Sequence, residues 1–176
     1  NISKAYLRSG FAFGGSCLAK DVRSLNYFAE QHGIDLPLHR AILPSNDAHL
    51  TRLASQLLGS KYRTIGMIGL VFKPNTDDLR ESPAMRLLEK LLAAGKEIFV
   101  HEPEINPELL IGTNLQYLKK VLPDFAESLV DWDTLCARSE MLLITRSGVV
   151  SEKEIEKVQL PVINVARLGS RSVCPG

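Results

Sequence analysis

The sequence predicts an α/β protein, a Rossmann-like, doubly wound parallel sheet preceded by a helical segment. Two observations carry this prediction. After Lys61, short apolar runs of strand length alternate with stretches of helical periodicity, whereas the preceding residues show helical spacing alone. Alternating strands and helices imply crossover connections and a parallel sheet covered on both faces. We therefore divide the chain into residues 1–60, a loop with helices, and residues 61–176, the α/β domain.

Two helices are predicted in the first region. From Lys20 to about Gly33 apolar residues recur at helical spacing, and a glycine is well suited to the position after a helix. A second pattern runs from about Leu38 to Leu58 and is followed by Gly59. Pro44 lies inside this second pattern and predicts a kink or a restart of the helix.

Four strands are predicted in the second region, in the segments RTIGMIGLVF, EIFVHEP, EMLLIT and PVINV. Ser82 and Pro83 predict a helix start, because serine caps helices and proline suits the first helical position. Further helices are predicted around Pro107–Leu118 and Trp132–Arg138. In such a sheet, ligands bind at the carboxyl ends of the strands.

Composition narrows the classes of function. Lysine and arginine number 21 and aspartate and glutamate 20, for a net charge of +1 without a basic block, which argues against a nucleic-acid partner. No apolar run approaches the roughly 20 residues of a membrane span, so we expect a soluble, cytoplasmic protein. Three cysteines argue against a disulfide scaffold, and the histidines lack zinc-ligand spacing, so no metal is predicted. Because the chain starts at Asn1 rather than methionine, we expect it to be the later part of a longer polypeptide.

The segment FGGSCLAKDVRSL predicts a reactive cysteine. Gly14 lets a substrate approach the backbone, and Cys17 falls in the first turn of a helix, where the dipole and nearby Lys20 favour a thiolate. Asp21, one helical turn further on, can act as the base for a water that attacks a thioester. The alternative is that Cys17 is a small buried apolar residue beside a solvated Lys20 and Asp21.

A second polar segment, GLVFKPNTDDLRESP, leaves the end of the first predicted strand. Its cations Lys73 and Arg80 suit a phosphorylated ligand, since arginine binds phosphate through paired hydrogen bonds and lysine acts as a point charge. The alternative is an ordinary charged loop, in which Asp77, Asp78 and Glu81 pair with those cations.

Together the motifs YLRSGFAFGGSCLAKDVRSL and GLVFKPNTDDLRESP resemble the UDP-glucose/GDP-mannose dehydrogenase family, over nearly the whole chain. The resemblance implies two successive hydride transfers to NAD, which oxidise the C6 alcohol of a nucleotide sugar to a carboxylate through a cysteine thioester. It also implies an N-terminal NAD-binding domain, a central helix at the core of a homodimer, and a C-terminal domain that binds the nucleotide sugar. The present chain corresponds to the central and C-terminal parts.

The resemblance also assigns residues. Cys17 takes the place of the nucleophile and Asp21 that of the carboxylate associated with thioester hydrolysis. Lys20 and Arg80 take the places of cations that contact NAD. The expected contacts to the nucleotide sugar are Tyr6, Arg8, Phe11, Gly14 and Lys73.

Two departures from the family motifs, and two absences, qualify these expectations. Ser9 and Ala19 stand where the family usually has prolines, which should loosen the loop. The family has a further lysine and asparagine, which help to stabilise charge at the reacting carbon. The resemblance places both in a segment before Asn1. Gly66 and Gly69 do not form the GxGxxG fingerprint, so NAD is not assigned to the α/β domain and no activity is expected from this chain alone.

The substrate expected from the resemblance is GDP-mannose, because UDP-glucose members more often have a tyrosine in place of Phe13. UDP-glucose 6-dehydrogenase is the alternative. A non-catalytic nucleotide-binding or dimerisation module is the alternative of another class, and the presence of both Cys17 and Asp21 counts against it.

Overall fold

The computed structural model describes residues 10–71, 79–106 and 112–166. The helices are α1 (Leu18–Gln31), α2 (Pro37–Leu58), α3 (Pro83–Ala93), α4 (Gly112–Val121), α5 (Phe125–Ser128), α6 (Trp132–Arg138) and α7 (Glu152–Glu156). The strands are β1 (Thr64–Ile68), β2 (Glu97–His101), β3 (Met141–Ile144) and β4 (Val162–Asn164).

The two predicted helices of the first region are both present. At the end of α1, Gly33 has a φ of 64°, the Gly33 N–H donates to Glu30 O and the Ile34 N–H donates to Ala29 O, which is the bonding of a Schellman C-cap. Helix α2 is continuous from Pro37 to Leu58 with Pro44 inside it, so the helix does not restart at the proline.

The four strands form one parallel sheet in the order β2-β1-β3-β4, as the alternation of strands and helices predicts. Ile65 of β1 lies opposite Ile98 of β2 and Met141 of β3. Strand β1 ends earlier than its apolar run: Gly69 takes a φ of 96°, although its N–H still donates to His101 O at 3.1 Å.

Helices cover both faces of the sheet, which confirms the doubly wound fold. Alternate residues of β1 point to opposite faces: Met67 belongs to the larger core with Leu88 of α3, and Ile68 belongs to a second core with Leu135 of α6. Gly66 permits the close packing of α6, since a Cβ there would lie 2.5 Å from Ser139 Oγ.

The agreement between predicted and observed helix boundaries differs from one helix to the next. Ser82 caps α3 by accepting a hydrogen bond from the Met85 N–H, and Pro83 is the first helical residue, as predicted. Helix α4 (Gly112–Val121) extends three residues past the end of the predicted stretch Pro107–Leu118, of which residues 107–111 lie outside the described ranges. Within the described ranges, no helix combines the length and the apolar character that a membrane crossing requires.

Candidate functional site

Cys17 lies at the N-cap of α1, one residue before the first helical turn in which it was predicted. Its side chain is exposed, so the buried cysteine of the alternative is wrong, whereas the solvated Lys20 and Asp21 of that alternative are observed. Its carbonyl accepts a hydrogen bond of 2.9 Å from the Asp21 N–H, which sets the spacing of one turn. Lys20 Nζ lies 3.4 Å from Asp21 Oδ1, and both side chains are solvated. The structure thus brings a thiol, an ammonium and a carboxylate to the start of one helix.

The segment before Cys17 packs on the turn that leads into α3. The Gly15 N–H donates to Glu81 O at 3.2 Å. A Cβ at Gly14 would lie 2.5 Å from Pro83 Cδ and closer still to Glu81 O. On the side where a Cβ would point, Gly14 is therefore in close contact with the protein's own main chain and with the Pro83 ring. The contact of Gly14 with a substrate stays a prediction.

Glu81 joins this turn to α1. It adopts a left-handed conformation with a φ of 52°, which is uncommon for a residue other than glycine. Its carboxylate accepts two hydrogen bonds from Arg23, one of them 3.2 Å long from Nη1, and this hydrogen bonding raises the pKa of the guanidinium. The alternative in which Glu81 pairs with Arg80 did not foresee this pair with Arg23 of α1, and Lys73 lies outside the described residues. Arg80 lies beside it in the same turn and is exposed.

Asn46 of α2 is a buried polar residue that the sequence analysis missed. Its carboxamide accepts a hydrogen bond from the Phe13 N–H and donates one to Phe13 O, both 2.9 Å long. Asn46 precedes Leu50 by four residues on the buried side of α2, so a polar residue within an apolar stripe was the available signal.

A cleft of about 250 Å³ lies between α1, α2 and the turn before α3. Four charged residues line it in two ion pairs, Arg23 with Glu81 and Arg86 with Asp47, the second with an N–O distance of 2.8 Å. Gly14 lines the same cleft. The cleft therefore lies where the cysteine segment meets the helices of the first region and the turn before α3 of the second.

A second polar cluster lies at the carboxyl ends of β1, β2 and β3. The carboxylate of Glu102, just after β2, accepts hydrogen bonds from the Leu70 N–H at 2.8 Å and the Val71 N–H at 3.2 Å. Arg146, just after β3, donates to the same carboxylate at 2.7 Å. The Glu102 side chain is fully buried and that of Arg146 is 10% exposed.

This cluster bears on cofactor binding. A Rossmann domain binds the pyrophosphate of a dinucleotide through N–H groups of the turn after its first strand. Here the Leu70 and Val71 N–H groups already hold the carboxylate of Glu102. The Leu70 and Val71 N–H groups are therefore occupied and do not offer the dinucleotide site that the glycine fingerprint would form at this position.

The remaining predicted residues are placed as follows. Phe11 is half-buried against the larger core. Ala19 is buried in the first turn of α1, so the replacement of the family's proline falls within the helix and not in the loop. Six residues of the sequence-based predictions lie outside the described ranges: Tyr6, Arg8, Ser9, Lys73, Asp77 and Asp78.

Two family models match the chain. The central domain of the UDP-glucose/GDP-mannose dehydrogenase family matches residues 1–48, and the UDP binding domain of the same family matches residues 66–147. The chain belongs to the UDP-glucose/GDP-mannose dehydrogenase family. The family resemblance that the two motifs predicted is confirmed.

Characterised members of the family show the same similarity. The chain is 37% identical over 145 residues to GDP-mannose 6-dehydrogenase of Pseudomonas aeruginosa, covering 82% of this chain and 33% of the relative. It is 32% identical over 164 residues to a UDP-glucose 6-dehydrogenase of Bacillus subtilis, covering 90% of this chain and 33% of the relative. The chain thus spans about a third of the length of these relatives.

Solved structures of the family share the fold. A ternary complex of GDP-mannose dehydrogenase from Pseudomonas aeruginosa matches with a TM-score of 0.80 and 32% identity, over 93% of this chain and 38% of that one. A UDP-glucose dehydrogenase from Pyrobaculum islandicum matches with a TM-score of 0.70 and 28% identity, over 97% of this chain and 38% of that one.

Proposed function

We propose that this chain is part of an NAD-dependent nucleotide-sugar 6-dehydrogenase that oxidises the C6 alcohol of GDP-mannose to the carboxylate of GDP-mannuronate. The observation that carries the proposal is the exposed Cys17 at the start of α1, in a segment that packs on the turn before α3. An exposed thiol at a helix N-terminus suits a nucleophile, because the unpaired N–H groups there favour negative charge. Family membership supports the same reading.

The proposed roles follow from the chemistry of each side chain. Cys17 Sγ adds to the C6 carbonyl carbon and holds it as a thioester after the second oxidation. Asp21 accepts the proton of the water that hydrolyses the thioester, which returns the thiol and releases the carboxylate. When bound, NAD takes up the two hydrides, and the exposed cations Lys20 and Arg80 are proposed to contact it.

The nucleotide sugar is proposed to contact the loop before Cys17 and the segment after β1, through Tyr6, Arg8, Phe11, Gly14 and Lys73. The motif around Phe13 and the similarity to GDP-mannose 6-dehydrogenases support GDP-mannose. UDP-glucose is the second candidate, supported by the match to a UDP binding domain and by the Bacillus subtilis relative.

A non-catalytic nucleotide-binding or dimerisation module is the competing function of another class. The side chains of Cys17 and Asp21 are both exposed at one helix start, where a ligand can reach them. A module without catalysis does not require this pair, so the arrangement favours the enzyme.

Peptide-resolved alkylation with iodoacetamide at neutral pH tests the proposal. Cys17 should react about tenfold or more faster than Cys136, because burial and the charge of Asp133 raise the pKa of the Cys136 thiol. GDP-mannose should slow the labelling of Cys17 and leave that of Cys136 unchanged. Cys17→Ser serves as the control for peptide assignment.

The outcomes separate the candidates. Equal labelling of the two cysteines would contradict the role of Cys17. Protection by UDP-glucose at lower concentrations than GDP-mannose would replace the substrate and keep the chemistry. Fast labelling that neither nucleotide sugar slows would contradict binding of the substrate beside Cys17.

A further inference from the structure

The main chain before Cys17 is held from two directions. On one side, the Asn46 carboxamide forms two hydrogen bonds of 2.9 Å with the N–H and C=O of Phe13. On the other side, the Gly15 N–H donates to Glu81 O at 3.2 Å. The chain between these anchors includes Gly14, which has no space for a Cβ.

The bonds at Phe13 require an asparagine in particular. A carboxamide offers one donor and one acceptor to the two groups of a single residue, whereas an aspartate offers acceptors only. Asn46 is 9% exposed, and both the N–H and the C=O of Phe13 would lose their partner if the carboxamide were removed.

Asn46 also stands at a fixed place in the fold. It lies four residues before Leu50, which is buried in the core that α2 shares with the sheet. Because α2 is packed in the core, the hydrogen bonds of the Asn46 carboxamide fix the position of the irregular segment at Phe13 relative to that helix. Cys17 follows Phe13 by four residues.

We propose that Asn46 is a positioning residue for the reaction at Cys17, which fixes the main chain from Phe13 to Cys17 through its two hydrogen bonds. This inference rests on the proposed function of Cys17. It adds a residue of α2, distant in sequence, that sets where the nucleophile meets its substrate.

Amide hydrogen exchange of the 176-residue chain tests the two anchors directly. In Asn46→Ala, the protection factor of the Phe13 amide should fall about tenfold or more, because its acceptor is lost. That of the Gly15 amide should fall as well, because the segment is then held by the bond to Glu81 O without the second anchor. The matched control is Asn26→Ala, which removes an asparagine that donates to His39 O at 3.3 Å and has no bond to the loop in the described residues. In the control both protection factors should stay within about twofold of the wild type.

Asn46→Asp tests whether both hydrogen bonds of the carboxamide are needed to hold the segment. At neutral pH its carboxylate faces Phe13 O without a donor, whereas the protonated acid donates and accepts like the amide. The carboxylate still accepts from the Phe13 N–H at neutral pH, so the bond that is lost is the one to Phe13 O. The protection factor of Gly15, which depends on the whole segment being held, should therefore recover as the pH falls, relative to Asn46→Ala at the same pH. That reference is needed because other titratable groups line the clefts beside Asn46: Arg23, Asp47, His49, Glu81 and Arg86.

The alkylation rate of Cys17 connects the anchors to the chemistry. We expect about a threefold or greater slowing in Asn46→Ala and none in Asn26→Ala, because the thiol is no longer held at the helix N-terminus. Equal losses of protection in both variants, or no recovery of Asn46→Asp at acid pH, would overturn the proposal. If wild-type Cys17 reacts no faster than Cys136, the proposed function fails, whereas amide exchange still decides whether Asn46 fixes the loop.

Discussion

At the residue scale, the candidate site depends on Gly14, because no larger side chain fits at this position. Gly14 lies against Glu81 O and the ring of Pro83, and a Cβ would come within 2.5 Å of Pro83 Cδ. Neither neighbour can yield easily, since one is main chain and the other is a buried proline at the start of α3. The glycine therefore allows the cysteine segment to pack on the α/β region.

Gly14→Ala should lower the free energy of unfolding by about 1–3 kcal/mol, the usual cost of forcing an extra methyl group into a packed contact. Urea unfolding followed by circular dichroism measures the change. The matched control is Gly59→Ala, since Gly59 has a φ of −74° and its nearest neighbour would be 3.4 Å from the new Cβ. A loss in Gly14→Ala no larger than in this control would contradict the tight packing of Gly14.

At the scale of elements, carboxylates hold the starts of strands and helices. Glu140 accepts hydrogen bonds from the N–H groups of Thr64 at 2.9 Å and Arg63 at 2.5 Å, at the beginning of β1. These bonds, with that of Thr64 the stronger influence, lower the pKa of Glu140. Hydrogen bonds from Thr134 and Ser151 likewise lower the pKa of Asp131 and Glu154 at the starts of α6 and α7.

The lowered pKa of Glu140 gives a dependence of stability on pH. A carboxyl group with a lower pKa in the folded state stabilises the fold fully above the ordinary glutamate pKa of about 4.3, and this contribution is lost as the pH falls from that value through the lower pKa of the folded state. Glu140→Gln should therefore be less stable than the wild type at neutral pH, and the difference should shrink in acid. Urea unfolding of both proteins between about pH 7 and pH 3 measures it. A difference that stays constant across this range would contradict the linkage.

At the scale of the whole molecule, the two predicted regions share one core. Leu50, Ala54 and Leu57 of α2 belong to the same buried cluster as Met67 of the sheet. The boundary near residue 60 thus separates two patterns of sequence, and the division into two domains stays a prediction. The large exposed apolar residues of the described chain lie mostly on α1, the connection to α2 and the first turn of α2: Leu18, Leu25, Tyr27, Phe28, Ile34 and Leu38, with Leu58 at the end of α2.

Self-association through α2 is proposed from the family resemblance. The Leu38 side chain is 76% exposed in the first turn of α2, so Leu38→Glu should raise the dissociation constant of a dimer about tenfold or more, because a charge would be buried in an apolar contact. Sedimentation equilibrium over a range of concentrations measures it. Tyr27→Glu, in an α1 residue that is 65% exposed, is the control with little expected effect. A wild-type chain that remains monomeric at high concentration would contradict the proposal.

The sequence by itself determined the fold class, the four strands and most helix boundaries. These features rest on short-range physics: apolar periodicity places α1 and β1, Gly33 ends a helix, and Ser82 with Pro83 starts one. The group of Cys17, Lys20 and Asp21 was predictable for the same reason, because one helical turn brings neighbours in sequence together.

Only the tertiary structure decided which distant groups hold that site in place. Asn46 and Phe13 are 33 residues apart, Arg23 and Glu81 are 58 apart, and Glu102 and Arg146 are 44 apart. A hydrogen bond between residues so far apart in sequence depends on how helices and strands pack. The local sequence pattern around each residue does not predict that packing. A buried carboxamide, a left-handed glutamate and an internal carboxylate at the sheet edge therefore emerged from the fold, because their partners become neighbours only when the sheet and its helices are assembled.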